Sequence, residues 1–277
     1  MRAKYFRIFI ISWVFIQCMV TTLHASDLRL WRLDCGEMMI DDISYFSDTY
    51  RYDNQSAEIS NGCYLIQNGD RYLLWDAGIP KKYLNNTIKK GGWLSRISIT
   101  IADQLAQIKL KPEDIDYLGI SHFHGDHIGQ ALEFPGAKLL LNQADALSIK
   151  NEASGSARRK LSAWFDGDSE MAVFARDHDV FGDGRVTIIA TPGHTPGHSS
   201  LLVKLKETGP VFLTGDLFHF QSETKLRNVS KWNTSRADTL ASIERFEDIV
   251  KTLSPIVIVQ HDKDDIRKLP AFPEAAE

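Results

Sequence analysis

The chain has 277 residues, 43% hydrophobic and 25% charged, with a formal net charge of −4. That is ordinary globular composition, long enough for one large core or two modest domains. No composition break, long linker, low-complexity tract or internal repeat appears, which excludes solenoids and propellers and favours one domain.

Arg2, Lys4 and Arg7 open the chain, Ile8 to Val20 is apolar apart from Ser12 and Gln17, and Leu23-His24-Ala25 precedes Ser26. Basic, apolar, then small is the layout of a secretory signal peptide, and the run is too short and interrupted for a membrane span. The expected division is a leader over 1–25, a mature domain over 26–277, a periplasmic or secreted location and no lasting membrane insertion. Residues 1–25 hold three cations and no acid, so their removal takes the charge of −4 to −7. So acidic a mature chain argues against nucleic acid as a partner, because phosphate binding needs clustered cations. Cys35 and Cys63 remain; they fall on neighbouring strands and could pair, but buried free thiols are the favoured expectation.

Leu28 to Asp34 reads as a first strand ended by Gly36, and Glu37 to Asn61 as a polar and aromatic excursion across the surface. Cys63–Gln67 and Tyr72–Asp76 flank Asn68-Gly69-Asp70, a hairpin signal. Asp76 ends that hairpin, where it can cap a turn or stand behind a metal ligand. Ile101, Leu105 and Ile108 share a helical face, which Lys111-Pro112 closes. Ile115–Ile120 is a strand, Lys138–Leu141 another, and Gln143–Lys150 a helix. Residues 151–184 are mixed, either a lid over a pocket or an ordinary insertion.

Ile115–Ile120 runs into Ser121-His122-Phe123-His124-Gly125-Asp126-His127, three imidazoles and a carboxylate within six residues. Nitrogen and oxygen donors at that density suit zinc or a similar divalent metal. The device then recurs. Strand Arg185–Ala190 leads to His194, Val211–Thr214 to Asp216, and Ile256–Val259 to His261, with a helix over Ser235–Leu253 between the last two. Strands buried in a common core bring their ends to one edge. Seven donors are too many for one tetrahedral ion and right for two sharing a carboxylate. The simplest partition gives His122, His124 and His194 to one metal, Asp126, His127 and His261 to the other, and Asp216 to both. Two ions roughly 3.5–4 Å apart can hold a hydroxide between them and polarise a carbonyl, which points to hydrolysis.

The Ser121–His127 run resembles the signature of the metallo-β-lactamase superfamily. Thr191-Pro-Gly-His-Thr-Pro-Gly-His198, Thr214-Gly-Asp216 and Gln260-His261-Asp262 fall where its later motifs stand. The resemblance spans nearly all of 27–277 and implies an α+β fold, an αββα sandwich with a dinuclear site, and zinc as the expected metal. Through Leu33-Asp-Cys-Gly36, Leu74-Trp-Asp-Ala-Gly78, the doubled Thr-Pro-Gly-His and His261-Asp-Lys, the chain is most similar to N-acyl homoserine lactonases. These open the lactone of bacterial quorum-sensing signals, which makes a small-molecule lactone the expected partner. On that resemblance the bridging hydroxide attacks the carbonyl and Asp126 passes a proton to the leaving alkoxide. Related lactonases place a tyrosine a few residues after the bridging aspartate; here His219 is the nearest candidate, and an imidazole can donate the same hydrogen bond.

The acyl chain needs an apolar groove, with Met38, Met39, Trp93, Leu94, Phe218 and Trp232 as candidates. His198 is expected to be a hydrogen-bonded structural residue, and His178 solvated surface. Alternatives on the same fold are a glyoxalase II-like thioesterase, a β-lactamase (against which Asp216 weighs) and a non-catalytic metal sensor. Preferred acyl length and oligomeric state, a homodimer included, stay open.

Overall fold

The apolar runs become the strands of two sheets in the computed structural model, which describes residues 28–151 and 155–277; the expected leader lies outside the described residues. The first sheet holds β1 (Leu28–Ile40), β2 (Ala57–Asn68), β3 (Arg71–Trp75), β4 (Ile88–Lys90), β5 (Trp93–Arg96), β6 (Tyr117–Gly119), β7 (Lys138–Asn142) and β8 (Met171–Phe174). Their spatial order is β4-β5-β1-β2-β3-β6-β7-β8. The second holds β9 (His178–Asp179), β10 (Val186–Ala190), β11 (Ser199–Lys204), β12 (Pro210–Leu213) and β13 (Ile256–Ile258), in order β13-β12-β11-β10-β9.

Leu30, Ile66 and Leu73 of the first sheet meet Val186, Ile188, Leu201, Val211 and Leu213 of the second across a shared core. Two-sided burial explains why these strands read as continuous apolar runs. Outside the first sheet, α1 (Ile101–Gln107) and α2 (Gln143–Asn151) place Ile101, Leu105 and Ile149 against Leu65, Leu74, Leu118 and Leu139. The short helices α3 (Ser156–Lys160) and α4 (Ser162–Phe165) follow α2. Outside the second sheet, α5 (Arg236–Leu253) lays Ile243 and Phe246 on Leu202 and Phe212. Ser235 caps α5, its hydroxyl accepting from the Asp238 amide at 3.2 Å. A last turn, α6 (Lys263–Ile266), follows β13. The layering is the expected αββα sandwich.

Several expectations need correction. Glu37 to Asn61 is a surface excursion only in its middle, where Tyr45 and Tyr50 are exposed. A register shift between Asp34 and Glu37 lets β1 continue to Ile40, and Met38, Ile40, Phe46 and Ile59 form their own apolar cluster. A bulge absorbs the odd residue that Gly36 seemed to end on. Cys35 and Cys63 are bonded to each other, not free thiols. The register pairs Leu33 with Cys63, leaving Cys35 just beyond it with a Cα–Cα distance of 5.8 Å, within reach of a bridge. Nor is the described part of 151–184 chiefly a lid. It supplies a strand to each sheet, and Trp164 is buried with its indole N–H on the Ala137 carbonyl at 2.9 Å.

Candidate metal centre

β3 and β6 run parallel and end at the same rim. Just past their ends the Asp76 amide bonds the Gly119 carbonyl at 2.8 Å, and the Ser121 amide bonds Asp76 Oδ1 at 2.7 Å. In the second sheet β10 and β12 are both antiparallel to β11, and β13 is parallel to β12, so three more strands end together. The two rims are joined where the Ser199 amide bonds the Ser121 carbonyl at 2.9 Å. Four loops therefore converge, carrying residues 121–127, 191–194, 214–216 and 260–261.

Close packing fixes these loops. Gly193 has φ +136°, and a Cβ there would lie 2.4 Å from the Thr239 amide nitrogen. Gly215 has φ +56°, and its Cβ would meet His198 Nε2 at 2.7 Å. Asp145 on α2, fully buried, takes the Thr195 hydroxyl at 2.8 Å and the Gly197 amide at 2.6 Å, tying the doubled Thr-Pro-Gly-His loop to the first sheet's helix layer. Burial pushes its carboxyl up to about 7.

Two donor groups result. His122, His124, His194 and Asp216 have ligand atoms all within 4.8 Å of one another, and so do Asp126, His127 and His261. Asp216 faces both. Its Oδ2 lies 3.3 Å from His194 Nε2 and 3.7 Å from His122 Nε2, and its Oδ1 lies 3.0 Å from His261 Nε2 and 3.2 Å from His127 Nε2. Donors bound tetrahedrally at about 2.0–2.1 Å stand roughly 3.3 Å apart, so these spacings fit one small cation per group. His122 Nε2, His127 Nε2 and Asp216 Oδ1 are buried without a hydrogen-bond partner. Leaving three such atoms unsatisfied is costly, and a divalent ion in each group would satisfy them.

The far side of each ring fixes which nitrogen faces inward. His261 Nδ1 donates to the Ser60 carbonyl at 2.8 Å, and His194 Nδ1 to Asn233 Oδ1 at 2.9 Å. His127 Nδ1 donates to Asp76 Oδ2 at 2.9 Å. Carbonyls and carboxylates only accept, so Nδ1 carries the proton and Nε2 presents a lone pair inward. Asp76 stands behind the ligands, taking the Ser121 hydroxyl and the Gln260 amide as well. Burial drives His122 and His194 well below the usual imidazole range. Burial pulls His127 the same way, but Asp216, Asp126 and Asp76 outweigh it and hold it well above, so its Nε2 holds a proton until a cation takes that place and leaves it the lone pair. His198 is turned otherwise. Its Nδ1 donates to the Thr191 carbonyl and its Nε2 accepts the Asp216 amide, both at 2.9 Å, so it pins the shared carboxylate's backbone.

Above the donors opens a cavity of about 660 Å³, lined by His124, Asp126, His194, Asp216, His219 and His261 at one end. Met38, Phe46, Trp93 and Trp232 line its apolar wall. Met39 does not belong to it: neighbours on a strand point to opposite faces, and Met39 is 42% exposed while Met38 turns inward. Phe218 fails for the same reason. The chain is extended there, so Phe218 packs on Phe246 under α5, ring centroids 5.0 Å apart, while His219 faces the cavity. Leu94 is not among the lining residues either. His219 Nε2 sits 3.5 Å from Asp216 Oδ2, its backbone amide held by buried Glu223 at 2.7 Å. His178 is a half-buried member of β9 stacked on Phe174, not free surface. Phe46, Glu223, Asn233 and the cavity lysines Lys82, Lys90 and Lys160 were not anticipated; no spacing in the sequence marks them.

Known proteins resemble this chain in sequence and in fold. The profile of the metallo-beta-lactamase superfamily matches residues 60–261. An N-acyl homoserine lactonase of a Bacillus species is 28% identical over 254 residues, covering 89% of this chain and 98% of the relative. The N-acyl homoserine lactonase AttM of Agrobacterium fabrum is 32% identical over 181 residues, 61% of this chain and 68% of the relative. Among solved structures, an N-acyl homoserine lactone hydrolase with N-hexanoyl-L-homoserine at its catalytic metal centre superposes with a TM-score of 0.78 at 23% identity, over 91% of this chain and all of that one. The dizinc quorum-quenching lactonase AidC superposes at 0.65 and 16% identity, over 91% of this chain and 90% of its own.

If Asp76 orients the cage, Asp76→Asn should weaken metal affinity by roughly 10–100-fold, measured by competition with a chromogenic chelator. Unchanged affinity would remove Asp76 from the centre's support.

Proposed function

The chain belongs to the metallo-beta-lactamase superfamily, and we propose that it is an N-acyl homoserine lactonase, hydrolysing the lactone ring of acylated homoserine signals. The observation that carries this is one cavity with two donor groups at its floor and an apolar wall beside them. His122, His124 and His194 would hold one ion, Asp126, His127 and His261 the other, with Asp216 shared; zinc suits such imidazole–carboxylate sets. When bound, such ions supply Lewis acidity and a water ionised near neutral pH.

The chain's own residues do the rest. Phe46 packs edge-on against His219 and Trp232 at 4.7 and 4.8 Å between ring centroids, making with Trp93 an aromatic wall for an acyl chain. The Asp126 carboxylate, 3.6 Å from His127 Nε2 and 3.8 Å from His261 Nε2, is 25% exposed where its neighbours are buried, so it can reach the substrate. Water adds to the carbonyl carbon, the ring C–O bond breaks, and Asp126 delivers the water's proton to the departing alkoxide. His219 turns a ring nitrogen to the same space and donates to the carbonyl oxygen.

Export is part of the proposal. Its supports are the basic-apolar-small N-terminus and the buried Cys35–Cys63 bond, a type of link that persists in oxidising compartments. N-terminal sequencing of protein from a periplasmic extract should begin at Ser26; an intact Met1 in the cytoplasm would contradict export.

Purified protein offered N-hexanoyl homoserine lactone, S-lactoylglutathione and a cephalosporin should release acid chiefly from the lactone, lose that activity to chelator and regain it with zinc. Turnover confined to the thioester or the β-lactam would refute the assignment. Asp126→Asn and His219→Phe should each lower kcat for the lactone by about a hundredfold. Normal turnover in metal-replete samples of either variant would strip that residue of its role.

A further inference from the structure

The cavity wall carries more positive charge than a neutral lactone uses. Lys82, Lys90 and Lys160 all line it, in a chain whose net charge is −4. The only carboxylates among the lining residues are Asp126 and Asp216, both members of the metal-holding groups. Neighbouring lysines are neutralised: Lys81 pairs with Glu133 at 3.1 Å and Lys89 with Asp41 at 2.7 Å. No described carboxylate lies within 4 Å of the Lys82, Lys90 or Lys160 ammonium; Lys82 rests over the Tyr83 ring at 5.2 Å, and Lys160 donates to the Gly125 carbonyl at 3.3 Å. Lys90 stands opposite Trp93 in the β4–β5 ladder, which brings a cation beside the aromatic wall.

Like charges gathered without a directly paired carboxylate around a half-enclosed space repel one another, and burial plus the charges of Lys82 and Arg159 lowers the Lys160 ammonium against the pull of Asp126. An anion entering the cavity relieves that repulsion. Low-dielectric aromatic walls make such an attraction stronger than it would be on open surface.

We propose that Lys82, Lys90 and Lys160 form a cationic collar selecting acyl homoserine lactones whose acyl chain ends in a carboxylate. This rests on the lactonase reading for the ring and adds the chemistry of the tail. Phe46, Trp93 and Trp232 cover the methylene stem, and the collar meets the terminal anion. The lysines are specificity-determining and take no part in ring opening.

The test compares N-adipoyl with N-hexanoyl, six-carbon acyl groups differing in the terminal carboxylate. Their cyclopentylamides, which have no scissile ester, would be titrated into metal-loaded protein by following tryptophan fluorescence. The adipoyl amide should bind about tenfold tighter at low salt, three partly exposed ion pairs being worth roughly that much. The advantage should shrink at roughly 0.5 M NaCl, where exposed charges are screened within a few ångströms. It should vanish in the triple variant Lys82→Gln, Lys90→Gln, Lys160→Gln and reverse in Lys82→Glu, Lys90→Glu. The same ratio should appear in kcat/KM for the two lactones. Equal affinities in the wild type, or a preference that survives the triple variant, would overturn the collar. So would a triple variant weakened only toward ring-opened N-hexanoyl homoserine, since the lysines would then serve the product's carboxylate. Hydrolysis of N-hexanoyl homoserine lactone without adipoyl preference would sink the collar alone; no lactone hydrolysis would sink the reading beneath it as well.

Discussion

One carboxylate, Asp216, stands between two sets of imidazoles with an oxygen turned to each, and the surrounding rim serves to keep it there. Its amide is held by His198, whose other nitrogen is held by Thr191. The preceding Gly215 has the positive φ that turns the chain just beyond β12. Of the imidazoles facing it, His127, His194 and His261 are clamped from behind by Asp76, Asn233 and Ser60. With three of the five rings oriented by an outer partner the cage is largely preorganised, so little ordering remains to be done when cations enter.

Chemistry and recognition are divided along the cavity. Most of the floor is buried, with His122 and His127 at 0% exposure and Asp216 at 5%, while Asp126 and His124 are half-buried and open to the cavity. Its donors have no freedom to rearrange for different substrates. The wall differs: Trp232 is 36% exposed and the lysines stand on short or irregular elements. Such elements tolerate change without disturbing the strand ends that position the metals. Substrate choice can therefore drift while hydrolysis stays fixed, as expected of a fold on which function is grafted by loops.

How legible this was follows from geometry. The ligands could be read because each sits just past an apolar strand, and buried strands of one core must end at common edges. The layer order came with the resemblance, and the core bears it out. The failures share a cause. Met39 and Phe218 were nominated beside residues that do face the cavity, but alternation of extended backbone lets only one of two neighbours point inward. A bulge at Gly36 set that parity at Met38, and a glycine there reads as a strand end as readily as a bulge. The Cys35–Cys63 bond depended on the same register. Phe46 looked like surface because its partners, His219, Phe220 and Trp232, lie far along the chain. Lysines, common and usually solvated, give no pattern until the cavity is seen.

The most direct test of the whole account is anomalous diffraction at the zinc edge from crystals of metal-loaded protein. Two peaks per chain are expected, one among His122, His124 and His194 and one among Asp126, His127 and His261, roughly 3.5–4 Å apart with one Asp216 oxygen toward each. A single peak, or two peaks with Asp216 turned away from either, would contradict it.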